Sequence, residues 1–296
     1  MKLIDFKTKS GLKVTFSTLG AAIYSIYLNK DIMTVTPKKK KDFLLERIYH
    51  GKTIGPVANR IKKGQLVIDG KTFSYDINEG ENTLHGGHND LSTKEWQYDV
   101  QPNGVAFTYI DKEAFYQVVY ELKNNEILMK FNVTLRKPLP IALTNHTLFC
   151  LGESNIDGLS LQIHADKFIE TRKEDLIPLD EKEIIPCLDF NQLTKINHDL
   201  DNPYLKDHRS KGIDHSFIRN DDSPIVLESN KYRLEITSDF EAVQVYSDNY
   251  ADNIQMVNTK QDIHRGVAIE PQDNFLKRKI YDQQYRRFIK YTFIVK

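Results

Sequence analysis

The stretch EILMKFNVTL, Glu126–Leu135, places Ile127, Met129, Phe131, Val133 and Leu135 at every second position, with Lys130, Asn132 and Thr134 between them. Successive side chains of an extended chain point to opposite faces, so this spacing describes a strand with one apolar face and one polar face. Such a strand belongs in an antiparallel sheet with one side against a core. The same alternation returns at Ile289, Tyr291, Phe293 and Val295, and again at Leu159, Leu161 and Ile163. Short turn signals join neighbouring runs. Asp69-Gly70 lies between residues 65–68 and 72–75, and Asn103-Gly104 between residues 96–100 and 105–109. Both dipeptides suit two-residue hairpins of type I′, whose central residues need positive φ. Ser10-Gly11 and Ser229-Asn230 look similar.

At least a dozen strands of this kind, linked by hairpins, predict a large all-β sandwich of antiparallel sheets, with residues 1–296 as a single domain. No internal repeat points to a propeller. Residues 166–214 are charged and weakly periodic, and they read as long connections with one helical turn. The run Lys38 to Lys41 reads as a solvated loop.

Composition narrows the function classes. The 296 residues hold 41 Lys and Arg against 41 Asp and Glu, a net charge of zero, which argues against nucleic acid as a partner. The N-terminal MKLIDFKTKS has no unbroken apolar stretch, and no run approaches the roughly 18 apolar residues of a membrane span. A cytoplasmic protein without membrane contact is expected, as a monomer or homodimer. Cys150 and Cys187 stand far apart with no CxxC pair, as reduced, inert thiols would. No glycine-rich phosphate loop and no zinc-spaced Cys/His array is present, so no cofactor and no metal are expected.

Four segments set polar residues among apolar neighbours. PVANRIKKG, residues 56–64, and NEGENTLHGGH, residues 78–88, offer Asn59, Arg60 and a histidine, His85, ahead of two glycines. Glycine permits positive φ and close contact, so this backbone either approaches a ligand or simply turns. His85 and His88 could supply two ligands to a metal, with no third in sight. LTNHTLF, residues 143–149, sets His146 in an apolar run, where a histidine is a hydrogen-bonded core residue or an acid–base group. GVAIEPQ, residues 266–272, turns Val267 and Ile269 to one face and Glu270 to the other, with Pro271 expected to end regular pairing. GIDHSF, residues 212–217, carries Asp214, an acceptor suited to hydroxyl groups or to capping a turn. His50, His164, His198, His208 and His264 read as surface residues.

In this order, PVANRI, ENTLHGG, TNHTLF, ADKFIETRKEDLIP, GIDHSF and AIEPQ resemble the motif series of the aldose 1-epimerase (galactose mutarotase) family, from Asn59 to Gln272. That family's fold, a large antiparallel β-sandwich of the galactose mutarotase-like supersandwich type with an open sugar-binding cleft, agrees with the strand reading. The resemblance implies an isomerase that interconverts the α and β anomers of a monosaccharide without a cofactor. A cyclic hemiacetal opens when a base removes the anomeric hydroxyl proton while an acid protonates the ring oxygen. By resemblance Glu270 is the base, His146 the acid and His85 an assisting group, all catalytic. Arg60 and Asp214, with Asn59, would bind ring hydroxyls. Such a mechanism calls for a Glu pushed up toward working pH and a His protonated there.

The chain departs from the family pattern at Leu148, at Cys150, at HNDLS (residues 88–92) and at DNFLKRKIY (residues 273–281). These changes leave the acid and base in place and bear on which sugar is taken. Galactose and glucose are the default, and Lys62, Lys63 and Arg265 raise a sugar phosphate. Two other readings compete. A non-catalytic sugar-binding or sensor protein would have no use for an acid and a base together, and a glycosidase would use Asp214 and Glu270 as a carboxylate pair.

Overall fold

The alternating stretch forms a ten-residue strand, Glu126–Leu135, in the computed structural model of the protein, which describes residues 1–45 and 48–296. Ile127, Met129, Phe131, Val133 and Leu135 are all buried. Each apolar side chain of this size gains about 1.5–3 kcal/mol by leaving water. The strand lies inside a nine-stranded antiparallel sheet, between Ala114–Lys123 and Gln284–Val295. A six-stranded sheet runs in the order Leu148–Phe149, Val267–Gln272, Ala242–Tyr246, Asp214–Arg219, Ala165–Thr171 and Pro178–Glu183. A four-stranded N-terminal sheet spans Leu3–Lys7 to Asp31–Ile32. One hydrophobic cluster draws on all three, with Phe16 from the N-terminal sheet, Phe131 and Tyr291 from the nine-stranded sheet, and Val243 and Ile269 from the six-stranded sheet. The all-β architecture follows the sequence pattern.

Local differences have physical causes. The Asp69-Gly70 hairpin forms as expected, both residues having positive φ of 49° and 73°. The second hairpin turns one residue earlier than expected, because Gln101 pairs with Gly104 and leaves Pro102-Asn103 as the loop. Proline fixes φ near −65°, so this is not a type I′ turn. Residues 166–214 are more regular than their charge suggests, holding most of Ala165–Thr171 and all of Pro178–Glu183. The second of these is the edge strand of its sheet, with no fully buried residue, so no apolar face marks it in the sequence. The expected helical turn is Pro203–Asp207, where the Asn202 side chain caps the Tyr204 N–H. Lys38 to Lys41 are exposed, and both cysteines are free and buried. No helix among the described residues is long and apolar enough to cross a membrane.

Candidate active site

The six-stranded sheet turns one face to the core and the other to a cleft. Val243, Val245, Val267 and Ile269 enter the core, so alternation sends Gln244 and Glu270, which lie opposite each other in register, to the cleft side. Asp214 reaches the same side at the start of its strand, opposite Tyr246. Pro271 does not end the pairing as expected, since it lies opposite Val243 within Val267–Gln272. The strand on its other side pairs only Val267 and Ala268, so no ladder partner stands opposite Pro271 on that edge, where the Thr144 hydroxyl donates to the Pro271 carbonyl at 2.7 Å.

His146 sits between the short strands Thr144–Asn145 and Leu148–Phe149, and its backbone is held at both ends. Its N–H donates to the Lys52 carbonyl at 3.0 Å, and the Gly51 N–H donates to its carbonyl at 2.8 Å. Gly51 has φ +70°, and a Cβ there would lie 1.8 Å from the Ile23 carbonyl oxygen, so the position admits only glycine. His85 and Asn59 face each other with positive φ of 57° and 66°. The His85 N–H donates to the Asn59 carbonyl and the Asn59 N–H to His85 Nδ1, both at 3.2 Å. The second bond makes Nδ1 an acceptor, so neutral His85 carries its proton on Nε2. The close approach allowed by Gly86 and Gly87 is to the chain itself. A Cβ on Gly86 would meet Pro56 at 2.8 Å, and one on Gly87 the Asp76 carbonyl at 2.7 Å.

All six residues singled out in the sequence, Asn59, Arg60, His85, His146, Asp214 and Glu270, line one cavity of about 460 Å³. His146 Nε2 lies 3.5 Å from Glu270 Oε1. On another wall Arg60 donates from Nε and Nη2 to Glu79 at 2.7 and 3.1 Å, and its Nη1 lies 3.6 Å from Asp214 Oδ2. Asn59 Nδ2 donates to Gln244 Oε1 at 3.2 Å, and Gln244 Nε2 donates to Asp214 Oδ1 at 2.6 Å. Asp214 is thereby fixed by an arginine and an amide.

Burial dominates the electrostatics. It pushes the Glu270 carboxyl well above the usual range, with the Asp214 charge adding to the rise. Burial also lowers His146 to about 4, assisted by His50, while Asp248 opposes the shift. The expected rise holds for the glutamate, whereas the expected protonated histidine is reversed, because a buried imidazole loses the hydration that stabilises its charge. His85 is likewise held well below its ordinary value, by burial and then by His146 and Arg60. Asp214 is raised, since burial outweighs the opposing pull of Arg60 and Gln244.

The sequence profile of the aldose 1-epimerases matches residues 2–276. The chain belongs to the aldose 1-epimerase family, a family of isomerases. A galactose mutarotase of Sus scrofa is 30% identical over 257 residues, covering 79% of this chain and 72% of the relative. That of Bos taurus is 32% identical over 191 residues, which span 59% of this chain and about half, 53%, of the relative. The solved structure of a galactose 1-epimerase from Lactobacillus acidophilus NCFM has the same fold, with a TM-score of 0.88 at 23% identity over 99% of this chain and 94% of that one.

Several cleft residues escaped the sequence reading of this aldose 1-epimerase family member. Glu79, which grips Arg60, lies within the quoted residues 78–88 but looked like loop charge. Gln244 carried a signal, being one polar residue between valines in Ala242–Tyr246. His50 and His208, read as surface residues, are buried. Arg265 is no free phosphate ligand, because Asp248 and Asp252 each hold it by two hydrogen bonds of 2.6–2.9 Å. Lys62 and Lys63 are exposed and do not line the cavity. His88 is exposed, and no three His, Cys, Asp or Glu side chains gather as metal ligands among the described residues. The mid-chain motif reaches the site through Asp175, which accepts from Asn82 at 2.9 Å in the His85 loop.

Proposed function

We propose that the chain interconverts the α and β anomers of an uncharged hexose such as galactose or glucose, with Glu270 and His146 as the acid–base couple. The observation that carries this is the 3.5 Å contact between His146 Nε2 and Glu270 Oε1 on the wall of a sugar-sized cleft. The ring oxygen and the anomeric oxygen hang on the same carbon, so an acid and a base serving both must stand side by side.

In the opening step Glu270 takes the anomeric hydroxyl proton while His146 Nε2 gives its proton to the ring oxygen. The bond from the anomeric carbon to the ring oxygen breaks, and the carbonyl forms. Rotation about the neighbouring carbon–carbon bond presents the other aldehyde face, and the reverse transfers close the ring. The pair holds one proton in total throughout, so it titrates as a unit. Opening leaves a protonated Glu270 and a neutral His146, and burial of both groups favours that distribution. The neutral Nε2–H of His85 adds a hydrogen-bond donor at the reacting end, and Arg60, Asp214 and Asn59 hold ring hydroxyls.

Charge supports an uncharged sugar. Arg60, Arg209 and Arg265 line the cavity, and each has a carboxylate within 3.6 Å. Names of relatives, galactose mutarotase and aldose 1-epimerase, support the same reaction. We place this activity in a single cytoplasmic domain with a monosaccharide as its partner. The test is polarimetry of freshly dissolved α-D-galactose and α-D-glucose with catalytic amounts of the protein. A faster approach to the same α/β equilibrium is expected, and folded protein that leaves both rates unchanged would overturn the reading.

A further inference from the structure

Arg278 lies in the stretch, residues 273–281, where the sequence departs from the family pattern, shortly after the strand Val267–Gln272 that carries Glu270. Long cationic side chains usually bury the stem and keep the charged head in water. Arg278 does the opposite, since its Nε is sealed from solvent and its guanidinium turns inward to backbone carbonyls. Nη2 donates to the Ala58 carbonyl at 2.8 Å and to the Arg60 carbonyl at 3.4 Å, and Nη1 reaches the Arg60 carbonyl at 3.5 Å. The nearby cations Lys277 and Arg287 pair with Glu181 and Asp273. Arg278 has no carboxylate partner among the described residues, and burial lowers it to about 10 against the pull of Tyr75, which leaves it charged at neutral pH.

Burying a charge with no anion to pair with is costly. What the charge secures is the turn that presents the sugar-holding groups. Asn59 stands between the two carbonyls with φ +66° and faces His85 at +57°. A positive φ in a residue other than glycine persists only where the surroundings enforce it. Three side chains depend on this turn. The Asn59 N–H fixes His85 Nδ1, Asn59 Nδ2 reaches Gln244, and Arg60 extends from it to Glu79 and Asp214. The loop that delivers Arg278 is itself ordered by the buried Asn274. Asn274 accepts from the Leu276 and Lys277 N–H groups at 3.0 and 2.9 Å and donates to Glu181 at 3.1 Å.

We propose that Arg278 is a positioning residue for the sugar-holding wall, its guanidinium fixing the carbonyls on either side of Asn59 so that Asn59 and Arg60 meet the ring hydroxyls and His85 keeps its orientation. A guanidinium presents a rigid fork of donors to two acceptors at once, which the point charge of an ammonium does not. Groups that hold hydroxyls do so before and during ring opening, so displacing them weakens binding more than turnover.

The kinetic arm of the test rests on the proposed reaction, and a second arm does not. In Arg278→Lys, which keeps the charge and loses the fork, KM for galactose is expected to rise about tenfold with kcat within about threefold of wild type. Arg278→Ala should go further, and guanidinium chloride below the denaturing range should restore part of its loss. Independently of activity, the Asn59 and His85 amide hydrogens should exchange slowly in the wild type. They should exchange about tenfold faster in Arg278→Lys, while those of Glu126–Leu135 keep their wild-type protection. KM within about twofold of wild type in folded Arg278→Lys, a folded Arg278→Ala that guanidinium does not improve, unchanged exchange at Asn59 and His85, or an equal loss of protection in Glu126–Leu135 would each overturn the proposal. A wild-type protein without mutarotase activity would sink the proposed function, and the exchange arm would still decide the role of Arg278.

Discussion

Two clusters of buried ionisable groups flank Gly266 in sequence and line the same cavity, yet they are built on opposite principles. In one, Arg265 is 1% exposed and its guanidinium meets Asp248 and Asp252 through four hydrogen bonds, while its backbone N–H adds a fifth to Asp248. Its donors are matched to acceptors. In the other, Glu270 and His146 are also buried but share only a 3.5 Å contact, and burial drives both toward their uncharged forms. The first cluster is fixed and fits a structural role. In the proposed reaction the second keeps a proton that can move, and the chemistry follows from that incompleteness.

Glu270→Gln should break the contrast most deeply. The amide keeps the shape and removes the base, so turnover should fall by about 10²–10⁴-fold while galactose affinity, read by calorimetry, stays near wild type. The same change should leave the protein at least as stable. A carboxyl whose folded pKa is raised contributes stability below its unfolded value and loses it as pH rises through the folded value, so the Gln variant gains relative to wild type in alkaline solution. Thermal melts across pH would show this. Arg265→Leu should do the reverse, leaving the buried Asp248 and the half-buried Asp252 without their cation at a cost of about 3–5 kcal/mol in urea unfolding. A stable Arg265→Leu protein would erase the distinction between the clusters.

A smaller effect concerns acid. His146, held near 4, and His50 and His215, held near 3, lie below the ordinary histidine value of 6.5. Groups lowered on folding contribute stability above their unfolded pKa and lose it as pH falls through the folded one. The melting temperature should therefore decline from pH 6.5 toward 3, and less steeply in His215→Phe. The smallest expected change is at Lys62 and Lys63, where double substitution to Ala should leave galactose turnover unaltered. Galactose 6-phosphate should be a poor substrate with or without them, and efficient turnover of it would show that a cationic site is at work.

Much of this site was legible because each of its main residues sits in a short run with its own local logic. Glu270 follows from alternation after Val267 and Ile269, and His146 from one polar ring in an apolar run. What could not be read is what arises between distant segments. Gln244 bridges Asn59 and Asp214 across separations of 185 and 30 residues, and the His146 backbone is held by Gly51 and Lys52 from more than ninety residues earlier in the chain. The sign of the His146 shift belongs to the same class, since burial depth is a property of the assembled cleft. The edge strand Pro178–Glu183 was hidden for the opposite reason, having no buried face to pattern.

The most direct test of the account is anomer exchange at equilibrium, followed by two-dimensional proton exchange NMR of D-galactose with wild-type protein and with Glu270→Gln. The account predicts strong α–β exchange peaks with the wild type and peaks near the uncatalysed level with the variant, although both bind the sugar. Equal exchange in the two, or none above background with folded wild type, would contradict it.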